Sequence, residues 1–324
     1  MIISRTPLRV SFVGGGTDLP SFYRQHGGAV LSMSIQKYIY LSMHKYFQGS
    51  GYVLKYSEIE HVESCKNIRH RIIKQIFGDY KIEGVDFNSS ADVPAGTGMG
   101  SSSAFTVGLL NLCNAYKGIF VPKWRLAELA CEVELEKLGE PIGKQDQYGC
   151  ALGGMNLIEF NPDGSVAHEC VPIGSAQRKR LEQSLLMFYL GGTRSASELL
   201  RVQASNAASD GQVVENLKQM AQQARELRRD ICGNIDIVGD YLHEGWVRKR
   251  ALARGVSNPL IDRAYERARA AGALGGKLLG AGGSGFLLVY APGSARAATI
   301  AALGEYQAHD VVMDSAGASI IYAD

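Results

Sequence analysis

The 324-residue sequence predicts a two-domain α+β protein. Three observations carry that prediction. The chain is long enough for about two domains, and with 46% hydrophobic residues it can bury a substantial core. Its first half mixes strand and helix signals, whereas its second half passes through long helices before returning to strands. No internal repeat, low-complexity tract or Pro-rich linker breaks this order. The change of pattern puts the boundary near residue 180, which gives domains of 1–180 and 181–324.

Taken in order, residues 9–13 read as a strand ended by Gly14, Gly15 and Gly16. Residues 37–45 alternate around Tyr38, Tyr40 and Ser42, a second strand. A short strand over 85–91 precedes the turn residues Pro94 and Gly96. Apolar spacing becomes helical over 102–116 and again over 123–138, where Leu126, Leu129, Ala130 and Val133 share the buried stripe. The second half opens with a strand over 185–190. Helices follow over 195–205, 213–229, 235–252 and 259–271. Strands at 277–280 and 286–290, a helix from about 294 and two closing strands complete the chain.

Composition narrows the function classes. A formal net charge of +2 gives no footprint for general nucleic-acid binding. The runs Arg178-Lys179-Arg180 and Arg248-Lys249-Arg250 are short and read as solvated faces. The six cysteines form no C-x-x-C pair, and the first residues are too charged for a secretory leader. Free thiols in a reducing cytoplasm are therefore expected. No apolar run approaches the ~18 residues of a membrane helix. The histidines show no zinc spacing, and Trp124 and Trp246 read as packing residues.

The strongest local signal runs from Asp92 to Ala104. Gly96, Gly98 and Gly100 alternate, which lets the backbone approach a ligand closely, and Ser101, Ser102 and Ser103 then open a helix. Free N–H groups at that start, with the helix dipole, suit a phosphate chain. A tight turn capped by serine is the bland alternative. Two other glycine patterns carry less. Residues 139–144 have the wrong spacing for a Walker A loop. Gly280, Gly282 and Gly285 match a dinucleotide fingerprint in letters, but strand-like residues follow where a helix should start, so a glycine turn between two strands is expected.

With these residues in view, the sequence resembles the GHMP kinases, named for galactokinase, homoserine kinase, mevalonate kinase and phosphomevalonate kinase. Three motifs carry the resemblance in order: residues 7–18 (PLRVSFVGGGTD), Pro94 with the loop through Gly96, Gly98, Met99, Gly100 and the serines to Ala104, and residues 277–286 (KLLGAGGSGF). It implies an N-terminal ribosomal-protein-S5-domain-2-like domain and a C-terminal ferredoxin-like domain. It also implies ATP as co-substrate and Mg²⁺ as cofactor, with Gly280, Gly282, Gly283 and Ser284 near the active site. Between the motifs, residues 143–149 resemble the family's Gly-x-x-Asp-Gln segment. That resemblance makes Asp146 the catalytic carboxylate, with Arg9 beside it. By motif position the metal ligands are Ser102 and Glu134, one hydroxyl and one carboxylate, as Mg²⁺ favours. Helix geometry adds support for Glu134, which lies in line with Ala130 and Leu138, while Glu132 and Glu136 face water.

Residues 14–22 (GGGTDLPSF), with Gly191, Gly192, Thr193, Arg194, Ser195 and Ala196, resemble the family branch acting on D-glycero-D-manno-heptose 7-phosphate and its fucokinase-like neighbours. The reaction so implied phosphorylates the anomeric hydroxyl to give the 1,7-bisphosphate, a step toward nucleotide-activated heptose for surface polysaccharide. Thr17 and Asp18 then meet the sugar. Arg194, at a turn before a helix, is the first choice for the substrate's own phosphate, with Lys144 and Lys37 behind it. Expected partners are a sugar phosphate and ATP, without nucleic acid or membrane, and a homo-oligomer is left open. Two alternatives stand: a kinase for fucose or a free hexose, and a non-enzymatic sugar sensor on the same fold.

Overall fold

The computed structural model describes residues 1–192 and 196–324. Alternating apolar residues make β1 (Ile2–Val13), and Pro20 at the first turn starts α1 (Pro20–His26). There follow β2 (Gly28–Lys45), β3 (Tyr52–Lys55), β4 (Ile59–Val62), α2 (Arg71–Tyr80), β5 (Val85–Ala91) and α3 (Ser101–Tyr116). α3 is buried on nearly all sides, because its residues are apolar or small almost throughout. α4 (Lys123–Cys131) runs into a wide π turn over Glu132–Lys137, and α5 (Gln145–Ala151), β6 (Met155–Phe160), β7 (Val166–Cys170) and α6 (Ser175–Ser184) complete the first half. The second half holds β8 (Leu185–Tyr189), α7 (Ala196–Ser209), α8 (Gly211–Asp230), α9 (Ile237–Arg250), α10 (Pro259–Ala270), β9 (Gly275–Leu278), β10 (Phe286–Tyr290), α11 (Ser294–Ala302), β11 (Ala308–Asp310) and β12 (Ser319–Ala323). Asp210 caps α8 by accepting from the N–H groups of Gln212 and Val213, and Asn258 caps α10 in the same way.

Two sheets organise these elements. The larger has the order β12-β1-β2-β5-β3-β4, with β6 pairing one end of β2 and β7 pairing β6. Only β3 and β5 run parallel in it. The smaller is antiparallel, β11-β8-β10-β9. One apolar core joins both halves: Leu8, Val10 and Phe12 of β1 share a cluster with Leu227 of α8, Leu242 of α9 and Leu288 of β10.

Several expectations change in detail. Both long strands outrun the spans read from sequence, since β2 pairs β1 along its length and serves β5 and β6 at opposite ends. The single helix expected over 123–138 divides at Glu132, where the backbone opens into the π turn. β9 stops at Leu278, so Gly280 belongs to the turn. That turn does join two paired strands, as expected. The boundary expected at residue 180 falls inside α6. The last strand of the 181–324 segment leaves the second sheet and pairs with β1. Trp246 is fully buried, whereas Trp124 is exposed and does not pack in the core. Among the described residues no helix is long and apolar enough to cross a membrane.

Candidate active site

A cavity of about 340 Å³ lies where the first half faces α7, α9 and the 279–285 turn. Its floor is the loop from Pro94 to Gly100. Gly96, Gly98 and Gly100 all have positive φ, and Gly100 caps α3 without a side-chain bond, so the N–H groups of Ser101, Ser102 and Ser103 open a long helix at the cavity. Two contacts fix the loop. The Arg9 N–H donates to the Met99 carbonyl at 3.1 Å, and Thr97 Oγ1 donates to the Pro94 carbonyl at 3.0 Å. Met99 is buried beneath the loop, and Pro94 sits exposed at its start.

The 279–285 turn presses on this loop backbone to backbone. A Cβ on Gly280 would lie 2.5 Å from the Gly98 Cα, and one on Gly98 would lie 2.7 Å from the Leu279 carbonyl oxygen. Only glycine permits that approach. Gly280, Gly282 and Ser284 line the cavity, whereas Gly283 turns away, its N–H donating to the Val256 carbonyl.

Arg9 projects from β1 and Asp146 from the first turn of α5. The Arg9 Nε and Nη2 donate to Asp146 Oδ1 at 2.9 and 2.6 Å, and Nη1 donates to the Gly98 carbonyl at 2.7 Å. Burial works against the guanidinium charge, but Asp146 outweighs it with help from Asp18, and the Arg9 pKa ends above its ordinary value. Asp146 Oδ2 accepts no hydrogen bond among the described residues, and its side chain is 28% exposed at the cavity. That oxygen is open to a substrate hydroxyl.

Asp18 is buried nearby. Its Oδ1 accepts from the Gly16 N–H and from Gln145 Nε2, both at 3.0 Å, and its Oδ2 accepts from the Gln145 N–H at 3.2 Å. Gly143 makes room for it, since a Cβ there would lie 1.8 Å from Asp18 Oδ2. Burial, then the Asp146 charge, raise the Asp18 pKa, and the backbone N–H bonds pull it part of the way back. The Gln145 Oε1 is buried without a donor.

Glu134 is 1% exposed and ringed by donors. Ser102 Oγ and Thr106 Oγ1 reach Oε1 at 3.3 and 3.0 Å, while Ser103 Oγ and Gln147 Nε2 reach Oε2 at 2.8 and 2.6 Å. Burial raises its pKa, and the bonds from Ser103, Gln147 and Thr106 oppose that. Glu132 is half-exposed and paired with Arg125, and Glu136 is exposed.

These residues fit a magnesium ion. Ser102 and Glu134 stand side by side on the cavity wall, joined by the longest bond of the group, and Gln147 has its own Oε1 buried without a donor. The long Ser102–Glu134 bond is the one that a hard, oxygen-seeking cation would replace. No cluster of three His, Cys, Asp or Glu exists among the described residues, so a cation held here would take its other ligands from phosphate and water.

Other expected site residues lie elsewhere. Thr17 is fully buried off the cavity wall, its hydroxyl donating to the Gly14 and Ala29 carbonyls and accepting from the Ala29 N–H. It holds the turn that presents Asp18. Lys144 reaches away, donating to the Gly164 carbonyl at 2.6 Å. Arg194, with Thr193 and Ser195, lies outside the described residues. Lys249 corrects the reading of its basic run as a solvated face: it is 4% exposed and lines the cavity. The spacing of Val238, Leu242, Trp246 and Lys249 on one helix face is the sequence signal for this. Gln145 and Gln147 were within reach as well, since they flank Asp146.

Known proteins resemble this chain in sequence and in fold. The sequence models for the GHMP kinases N terminal domain and the GHMP kinases C terminal match residues 66–154 and 214–307, together more than half of the chain. The chain is 28% identical to the D-glycero-alpha-D-manno-heptose 7-phosphate kinase of Campylobacter jejuni, covering 95% of this chain and 94% of that one. It is 27% identical to the bifunctional fucokinase/GDP-fucose pyrophosphorylase of Arabidopsis thaliana, over 90% of this chain and 30% of that protein. In structure it is similar to a D-glycero-D-manno-heptose 1-phosphate kinase from Bacteroides thetaiotaomicron, with a TM-score of 0.81 over the whole of both chains at 22% identity.

Proposed function

The chain belongs to the GHMP kinases, and from that premise we propose that it phosphorylates the anomeric hydroxyl of D-glycero-D-manno-heptose 7-phosphate, using ATP, to give the 1,7-bisphosphate. The observation that carries the kinase chemistry is the Arg9–Asp146 pair, set between the phosphate loop and Asp18. The similarity to the Campylobacter jejuni enzyme along nearly the whole chain supports the choice of sugar.

On this reading the 1–180 half carries the nucleotide phosphates and the catalytic groups, and the 181–324 half supplies the opposing wall. The N–H groups at the start of α3 hold the phosphate chain. Asp18 and Gln145 orient the sugar, with Gln145 Oε1 free to accept from a hydroxyl. The anomeric oxygen attacks the γ-phosphorus and the bond from that phosphorus to the bridging oxygen breaks, so that ADP leaves. The hydroxyl proton passes to Asp146 Oδ2. Arg9 holds the carboxylate in place and stabilises charge on the phosphoryl oxygens. Ser102 and Glu134 would hold magnesium, which supplies charge neutralisation to the transferring group.

The test is kcat/KM for ADP release over a panel of heptose 7-phosphate, heptose 1-phosphate, unphosphorylated heptose, fucose and galactose. Heptose 7-phosphate should exceed each of the others by at least about tenfold. Preference for fucose or a free hexose sinks the reading, and turnover of none returns the sugar-sensor alternative.

A further inference from the structure

We propose that Lys249, with Lys277 behind it, forms an oxyanion site on the inner cavity wall that takes a phosphate group of the bound substrates. The assignment rests on the kinase reading above. Both lysines are buried, at 4% and 3% exposure. Lys249 Nζ donates to the Leu278 carbonyl at 3.0 Å and to the Gly280 carbonyl at 2.5 Å, which leaves its third N–H on a cavity-lining side chain. Lys277 Nζ has one long contact, 3.5 Å to Ser11 Oγ, and Ser11 lines the same cavity.

Neither ammonium has a carboxylate partner among the described residues. The two nearby carboxylates are already engaged, Asp146 Oδ1 by Arg9, and Asp18 by Gly16 and Gln145. Arg9, Lys249 and Lys277 thus lie buried together; the carboxylates acting on the two lysines are Asp146 and Asp18, while Glu134, the third buried carboxylate, is held by its own four donors. A buried amine without a carboxylate partner holds its proton only at a cost, so a site that keeps two of them is built for a negative charge that arrives with a ligand. A phosphate supplies it, with oxygens that accept from more than one donor. Among the described residues Arg9 and Lys249 are the cations on this wall, and Arg9 is held by Asp146.

Protonation follows the same logic. Burial, then Arg9, lowers the Lys249 pKa to about 7 against the opposing pull of Asp146 and Asp18. Lys277 is pushed well below its ordinary value by burial, then by Lys249 and Arg9. A phosphate arriving among these groups restores the proton that burial removes.

The experiment compares wild type, Lys249→Met and Lys249→Arg in kcat/KM on heptose 7-phosphate and on unphosphorylated heptose, with Mg-ATP affinity measured alongside. Lys249→Met should lose at least about tenfold in kcat/KM, and Lys249→Arg should recover part of it. A loss confined to the phosphorylated sugar locates the site on that sugar's own phosphate. An equal loss on both sugars, seen in kcat, locates it on the transferring phosphoryl group. A folded Lys249→Met with kcat/KM within about twofold of wild type on both sugars overturns the proposal. A loss of Mg-ATP affinity alone that Lys249→Arg recovers locates the site on a phosphate of the nucleotide; the same loss without that recovery overturns the proposal and leaves Lys249 as a tie for the glycine turn. Calorimetry on wild type needs no variant. In two buffers of different ionisation enthalpy at about pH 7.5, heptose 7-phosphate or Mg-ATP should take up about half a proton or more on binding. Uptake with neither overturns the proposal. If wild type turns over neither heptose, the sugar assignment fails on its own. Lys249 is then read with inorganic phosphate, whose binding Lys249→Met should weaken by about tenfold, and equal binding rejects the site.

Discussion

At the scale of single residues, the account turns on which oxygen and which charge each side chain offers. Asp146 offers Oδ2 while Arg9 occupies Oδ1. Asp146→Asn keeps the shape and removes the proton acceptor. It should lower kcat by roughly 10²–10⁴ while Mg-ATP affinity stays within about twofold, measured by steady-state kinetics and nucleotide titration. Near-wild-type turnover would remove Asp146 from the chemistry. Glu134→Gln and Ser102→Ala should each raise the magnesium concentration needed for half-maximal activity, while Glu132→Gln and Glu136→Gln leave it unchanged, because the latter pair lies off the cavity. Lys249 gives a prediction in pH. Its folded pKa is depressed to about 7, so between pH 7 and its unfolded value the unfolded chain binds a proton that the folded chain does not. Stability therefore rises with pH, by up to about 1.4 kcal/mol per unit relative to Lys249→Met. Denaturant unfolding of both proteins between pH 7 and 9 checks this, and parallel curves contradict it. That Arg9, Asp146 and Glu134 meet at one cavity was legible because motif spacing marks them. Lys249 was not, because a charge in a basic run looks solvated until the helix face that carries it is traced.

At the scale of elements, the site depends on two glycine segments pressed together. Gly280 has φ of +71° and its Cα faces Gly98. Gly280→Ala forces a left-handed residue, costing about 1–2 kcal/mol before the clash with Gly98 is counted. The variant should unfold at lower denaturant and show a raised KM for ATP, with the sugar KM changed less. An unaltered KM for ATP would separate the turn from the phosphate loop. Legibility varied by element. The 94–100 loop and the 279–285 turn were readable because glycine spacing reports backbone geometry directly. β3 and β4, four residues each among glycines and serines, leave too short a pattern to register. The π turn was hidden for another reason. A widened turn changes the hydrogen-bond partner without changing residue types, and Glu134 still points inward from it.

At the scale of the whole molecule, the cavity exists because two sheets share one core. β12 pairs with β1, the strand that carries Arg9, and so ties the end of the chain to the first half. That return was not legible, since pairing partners of short closing strands are set by tertiary contacts and not by local pattern. The two-part α+β architecture was legible from the alternation of elements. The central claim is that this architecture delivers a γ-phosphoryl group to an anomeric oxygen of a sugar already phosphorylated. The most direct measurement is ³¹P NMR of the product formed from Mg-ATP and D-glycero-D-manno-heptose 7-phosphate, with ADP counted in parallel. The account predicts one ADP per sugar and a new phosphorus resonance coupled to the anomeric proton, with the 7-phosphate retained. A new phosphate on any other carbon, or ADP formed without a bisphosphate, would contradict it.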